Sequence, residues 1–174
     1  KHIREGTLDF VLLKPIDSQF FISLKKINPS GFLEIMLGFF LLLFCIRINQ
    51  INLSLSFLTL SLITISCSVC ILYSIWFFIS TTTIWFVKTW NAIEVLRSFL
   101  YIGRFPLNSF SFSLRVFFSI FIPIAFITTI PSEVFLGLSQ LWKIFLEVIV
   151  ATVFLITSRK FWLFALKFYS SASS

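Results

Sequence analysis

The chain has 174 residues, of which 58% are hydrophobic and only 12% are charged, and its formal net charge is +7. A soluble domain of this length could not cover so much apolar surface with polar residues, so an ordinary soluble protein is excluded. The basic residues form no patch with interleaved exposed aromatic residues, which argues against nucleic acid as a partner. The composition therefore indicates an integral membrane protein built as one compact domain.

The opening of the chain, residues 1–30, is polar and basic and is predicted to be a cytoplasmic loop. Within REGTLDFVLLKPIDSQF (residues 4–20), Thr7 and Asp9 are placed to cap a short helix. The apolar face of that helix would be formed by Leu8, Phe10, Leu12 and Leu13. The alternative is an amphipathic loop that rests on the chain's own membrane spans.

Four long apolar runs follow, and each is predicted to form a spanning helix, which needs about 20 mainly apolar residues. They predict a transmembrane domain over residues 31–157, with spans at 31–47, 58–80, 112–130 and 138–157, and a cytoplasmic tail at 158–174. The runs are much longer than the alternating segments of a barrel, so the predicted fold is an all-α membrane protein.

The basic residues predict the orientation of these spans. Of the 14 Lys and Arg residues, only Arg47 and Lys143 fall on one side of the predicted membrane, and all the others fall on the opposite side. Because Lys and Arg accumulate on the cytoplasmic side, both ends of the chain are predicted to be cytoplasmic.

Two connections are predicted to be interfacial helices rather than simple loops. Over residues 86–102, apolar side chains recur at spacings of three and four, and Trp85 and Trp90 are expected at the depth of the headgroups. Over residues 128–142, Pro131 in the first turn and Glu133 near the positive helix end indicate a short helix on the outer side.

A few polar or unusual residues lie inside the apolar runs. An acid as deep as Glu147 is costly in a membrane, so it either faces the pathway or pairs with Lys143 one turn earlier. Glu34 is expected to reach the cytoplasmic interface, and Pro123 is either a gating kink or a packing feature. Cys67 and Cys70 form C-x-x-C, but inside a spanning run they are best interpreted as small helix residues.

Enzyme chemistry, a cofactor and a metal site are not predicted. The sequence contains no G-x-x-x-x-G-K-[ST] motif for nucleotide phosphates, because its glycines are scattered. Its single histidine, His2, has no companions for a catalytic triad or a metal site.

Two stretches resemble the permeases of ABC-2-type transporters, in particular an uncharacterised bacterial branch with six spans. One is the opening, residues 4–20, and the other combines Gly-Arg-Phe-Pro at 103–106 with IPIAFITTIPSE at 122–133. The resemblance covers essentially the whole chain. It implies that two further spans precede these residues, so that the four predicted here are the third to the sixth of a truncated six-span permease.

The resemblance also implies a role in transport. The protein would be the membrane-spanning subunit of an ATP-driven exporter in a bacterial inner membrane, paired with a second permease subunit as a homodimer or heterodimer. Its cytoplasmic loop would contact a separate ATP-binding subunit. The residues expected to make that contact are Arg4, Glu5, Gly6, Thr7, Leu8, Asp9, Leu12, Leu13, Lys14 and Pro15.

The candidate gating or pathway residues are Pro123, Thr128, Thr129, Pro131, Glu133 and Glu147. Two alternatives remain at this point. The first is a non-transporting membrane scaffold or assembly factor that recruits a soluble partner through residues 1–30. The second is a secondary transporter, which the lack of a clear internal repeat and the few buried ionisable groups disfavour.

Overall fold

The computed structural model describes residues 9–24, 29–48, 54–85, 94, 97–98, 101, 105, 109–120 and 123–169. Within these ranges every regular element is helical, which confirms the predicted fold class. Among the described residues, three helices are long and apolar enough to cross a membrane, so the chain is an all-α membrane protein. Its contacts divide it into two compact units, residues 1–53 with 170–174 and residues 54–169.

The first unit opens with two short helices, α1 (Asp9–Leu12) and α2 (Ser18–Leu24), which contact each other. Asp17 caps α2, because its Oδ1 accepts a hydrogen bond of 3.0 Å from the backbone N–H of Phe20. The ammonium group of Lys14 lies 4.5 Å from the centre of the Phe21 ring, over its face. These local contacts fix the turn between the two helices.

Helix α3 (Ser30–Ile48) is also part of the first unit and covers the residues of the first predicted span. Residues 31–48 have a mean hydropathy of 2.2, and only 6% of them are buried by the protein itself. Glu34 is exposed on this helix. A helix that is apolar all round requires lipid or another protein as its surroundings.

The second unit is built on two long helices, α4 (Leu55–Thr81) and α7 (Leu141–Leu166). Ser54 caps α4 by accepting a hydrogen bond of 3.1 Å from the N–H of Phe57. A 3₁₀ turn, Thr82–Ile84, follows α4 directly. The core between the helices includes Ile71, Ile75 and Ala151.

Contacts along α4 and α7 show that the two helices run parallel. Ser68 at the middle of α4 meets Glu147 near the start of α7, further along Phe77 packs against Trp162, and beyond the end of α4 the ring of Trp85 packs against Phe168. Small residues line the seam at helical spacing, and they include Ser61, Ser68 and Ser74 on α4 and Ala151, Ser158 and Ala165 on α7. Small side chains let membrane helices approach closely.

The third predicted span, residues 112–130, is described in two parts. The described residues form α5 (Phe112–Ile120) and then a second helical stretch that consists of a π-helical segment (Ala125–Thr129) and α6 (Ile130–Phe135). Neither described part alone reaches the length of about 20 residues that a bilayer requires. Pro123 lies just before the second part, where its missing N–H leaves no backbone donor for an upstream carbonyl.

The stretch from the π segment to α6 runs antiparallel to α4. The ring of Phe135 meets that of Phe57 near the start of α4, whereas Phe126 lies beside Ser68, three turns further along that helix. Ile130 and Val134 form a small core with Ile144 of α7. The second unit therefore places α4, α7 and this short stretch around one buried junction.

The described residues include all of the fourth predicted span and part of the predicted interfacial helix. The fourth predicted span, 138–157, overlaps α7, but α7 begins later, at Leu141, and continues further, to Leu166. Most of the predicted interfacial helix, 86–102, lies outside the described residues, including Trp90. Of the part described, Arg97 pairs with Glu94 at 3.2 Å and Ser98 donates to the carbonyl of Glu94, which are contacts of a helical turn.

Candidate functional site

The residues predicted to contact a soluble partner lie at α1 and the turn after it. Arg4, Glu5, Gly6, Thr7 and Leu8 fall outside the described residues. Asp9 begins α1, and Leu12, Leu13, Lys14 and Pro15 are all exposed. Leu13 is 82% exposed, twice as much as Leu12, whereas Val11, just before them, is only 2% exposed.

The exposed apolar surface is larger than the sequence indicated. We define the α1–α2 surface as the exposed apolar residues of the two helices and their turn, which are Phe10, Leu12, Leu13, Ile16, Phe20 and Leu24. Contiguous exposed apolar residues of this kind mark sites of contact with a protein or a membrane. Ile16, Phe20 and Leu24 were missed because the sequence argument followed one helix and not its pairing with α2.

The second site is buried between three helical pieces and is centred on Ser68. The Oγ atom of Ser68 lies 3.1 Å from Oε1 of Glu147, 3.1 Å from the carbonyl oxygen of Phe126 and 2.9 Å from that of Thr64. We call these four residues the Ser68 cluster. It links α4, the π segment and α7 through one hydroxyl group.

Glu147 is completely buried in this cluster. Its Oε2 atom has no hydrogen-bond partner among the described residues. The alternative in which Glu147 pairs with Lys143 is wrong, because Lys143 donates to Oε2 of Glu133 at 2.7 Å. Glu147 is thus a buried acid in a membrane helix, held by a hydroxyl group and not by a cation.

The carbonyl of Phe126 is available to Ser68 because of Pro131. In an α-helix this carbonyl would accept from the N–H of Ile130, but that N–H donates to Ala125 instead. In the π-helical pattern the donor would be residue 131, which is a proline and has no N–H. Ser68 of α4 supplies the missing hydrogen bond at 3.1 Å.

The ion pair of Glu133 and Lys143 is set by the end of α6. Gly137 has a φ of 69°, in the left-handed region that favours glycine. The N–H of Gly137 donates to Val134 and that of Leu138 donates to Glu133, which is the Schellman arrangement at a helix end. The chain then turns back into α7, so that Lys143 faces Glu133.

The remaining candidate pathway residues are not all brought together. Thr129 and Glu133 line one cavity beside α7, and Pro131 acts on the Ser68 cluster through Phe126. Pro123 is buried, and its carbonyl accepts hydrogen bonds from Phe126 and Ile127 at the start of the π segment. Thr128 is exposed and donates to Ile124 of its own turn, so it belongs to neither site.

The model of a family described as ABC-2 family transporter protein matches residues 1–173. The chain belongs to the ABC-2 transporter family. This membership confirms the resemblance that was based on residues 4–20, 103–106 and 122–133, and it indicates a permease subunit of ABC-type transport. No curated protein and no solved structure matches the ABC-2 chain.

Proposed function

We propose that this ABC-2 family protein is the membrane-spanning permease subunit of an ATP-driven exporter in a bacterial inner membrane. The observation that carries the proposal is the family match over residues 1–173. Three helices long enough to cross a membrane support it. ATP binding and hydrolysis belong to a partner subunit, since the sequence has no phosphate-binding loop of the P-loop type.

The α1–α2 surface is the proposed contact with that ATP-binding subunit. Phe10, Leu13 and Phe20 are exposed on it. Burial of large apolar side chains at the centre of an interface supplies most of its binding energy. Lys14 at the turn lies at the edge of the surface, where a charge steers the approach of a partner more than it adds affinity.

The Ser68 cluster is the proposed element that lets the spans move. Ser68 has one hydroxyl hydrogen and three acceptors from three helical pieces, so the hydrogen can pass from one acceptor to another as the helices shift. Such an exchange would keep the Ser68 hydroxyl hydrogen-bonded both before and after the helices shift. A second permease subunit, identical or related, would complete the pathway.

The test is purification of the full chain from native membranes in a mild detergent, followed by mass spectrometry of the proteins that come with it. We expect an ATP-binding subunit in a fixed ratio, and ATP hydrolysis by the complex after reconstitution in lipid nanodiscs. A fixed partner without a nucleotide site, or no partner at all, contradicts the proposal. The first of these results favours a scaffold that recruits a soluble protein.

A further inference from the structure

A cavity of about 260 Å³ lies beside the start of α7 and shares Phe126 with the Ser68 cluster, although Ser68 and Glu147 do not line it. Its lining includes Glu133, Trp142 and Lys143, which we call its mouth, and Ala125, Phe126 and Leu146, which we call its floor. Trp142 is 60% exposed and Leu146 is 38% exposed, so the cavity opens away from the helices that form it. In a spanning helix, that direction leads to lipid.

The polarity of the cavity changes with depth in the membrane. α7 begins at Leu141, so Trp142 and Lys143 lie in its first turn, at the level where tryptophan and lysine meet the headgroups. Leu146 lies one turn deeper, and the antiparallel stretch places Phe126 beyond Glu133 in the same direction. A charged mouth at the headgroups and an apolar floor below it match the direction of a phospholipid.

The charges at the mouth identify the headgroup. Lys143 and Glu133 form one ion pair of 2.7 Å, and their side chains are 29% and 26% exposed, so both remain accessible. A headgroup that offers only a phosphate would be attracted by the Lys143 ammonium but repelled by the Glu133 carboxylate. A headgroup with both a phosphate and a primary ammonium can contact both residues, with its phosphate on Lys143 and its ammonium on Glu133.

We infer that this cavity binds a phospholipid with an ethanolamine headgroup, with its phosphate on Lys143, its ammonium on Glu133 and part of one acyl chain over Ala125, Phe126 and Leu146. The volume is below the roughly 300–1,000 Å³ of sites that enclose whole small molecules, so it holds a segment of a chain. The inference depends on the chain being a membrane protein and does not depend on the proposed exporter function.

The test is titration of the delipidated full chain with lipids of identical acyl chains, followed by native mass spectrometry. Phosphatidylethanolamine should bind about tenfold more tightly than phosphatidylglycerol, because one charge-assisted contact is lost with the second headgroup. Glycerophosphoethanolamine, which has the headgroup without acyl chains, should not compete at the same concentration. Equal binding of the two lipids, or full competition by the headgroup alone, overturns the inference.

Two variants and one control locate the site. Ala125→Leu fills the floor, and it should weaken phosphatidylethanolamine binding by about tenfold, since a segment of the acyl chain is displaced. Glu133→Gln should remove the preference between the two lipids and leave the floor intact, so it tests the site even if Ala125→Leu folds poorly. Val153→Ile adds volume at an exposed position of α7 outside the cavity and should change nothing. Wild-type binding by both test variants excludes this cavity.

Discussion

Ser68 and Ser66 are two residues apart on α4 but differ completely in what their hydroxyl groups contact. Ser68 faces Glu147 and Phe126, whereas Ser66 is exposed and donates only to Leu62 of its own helix at 2.7 Å. We expect Ser68→Ala to lower the free energy of unfolding by about 1–3 kcal/mol, because it leaves buried acceptors without a donor. Ser66→Ala is the matched control and should be close to neutral.

The measurement is equilibrium unfolding of the two variants in mixed detergent micelles. Equal stability of Ser68→Ala and Ser66→Ala would show that the contacts of Ser68 contribute nothing to the fold.

A substitution of the buried Glu147 distinguishes a role in transport from a role in stability. Glu147→Gln keeps an oxygen for Ser68 and removes an acidic group from the interior, so we expect the thermal midpoint to stay the same or rise. If the cluster works as a moving element, transport-coupled ATP turnover of the assembled complex should fall at least about fivefold, a change of about 1 kcal/mol. Glu34→Gln, at an exposed position of α3, is the control. Wild-type turnover in Glu147→Gln rejects the transport role.

At the α1–α2 surface, Leu12 and Leu13 carry the prediction about the partner. Replacing both with Asp places charges in an apolar contact, which costs several kcal/mol. Recovery of the ATP-binding subunit in a pull-down should fall by more than about tenfold, while membrane insertion stays normal. Leu136→Asp introduces the same chemistry at an exposed site that the predicted topology places on the outer side of the membrane, and it should have no effect. Undiminished recovery from the double variant would remove this surface from the interface.

At the level of single residues, the unusual side chains could be predicted from the sequence, but their contact partners could not. Glu147, Pro131 and Glu133 were singled out because an acid or a proline is conspicuous in an apolar run. Ser68 was not, because a serine is ordinary there, and its contact with Glu147 joins residues 79 positions apart. The helical spacing of Ser61, Ser68 and Ser74 was the available signal for a buried seam.

At the scale of elements, the stretch from residue 124 to residue 135 is where the sequence prediction differs most from the structure. The long helices α3, α4 and α7 were predicted as apolar runs, and composition alone was sufficient for them. Pro131 and Glu133 were predicted in the first turn of a short helix, and both lie in the first turn of α6, but the π-helical segment before that helix was not foreseen. The π-helical turn before Pro131 removes the need for its N–H and moves the short helix against α4.

A double-mutant cycle tests that explanation of the π segment. Pro131→Ala restores an N–H five residues after Phe126, where the π-helical pattern needs a donor. We therefore expect Ser68→Ala to cost less in the Pro131→Ala background, with a coupling energy of at least about 0.5 kcal/mol. General effects of removing a proline cancel in the cycle. Strict additivity of the two substitutions in equilibrium unfolding would mean that Pro131 and Ser68 do not act on the same carbonyl.

At the scale of the whole molecule, the parallel pairing of α4 and α7 constrains the topology. Two parallel spans begin on the same side of a membrane, so Ser54 and Leu141, at the starts of α4 and α7, lie on one side. The distribution of basic residues had independently predicted that the second and fourth spans begin on the same side. Geometry and charge therefore agree that these two helices begin on one side.

The remaining question is which side faces the cytoplasm, and the basic residues predict that it is the side opposite Arg47 and Lys143. Single cysteines at Asn49 and Ser109, in a variant whose Cys45, Cys67 and Cys70 are replaced by serine, report the two sides. In intact cells an impermeant thiol reagent should label position 49 and not position 109. In permeabilised cells both should react, which controls for local access. Labelling of position 109 but not 49 in intact cells would invert the orientation and place the α1–α2 surface away from any cytoplasmic ATP-binding subunit.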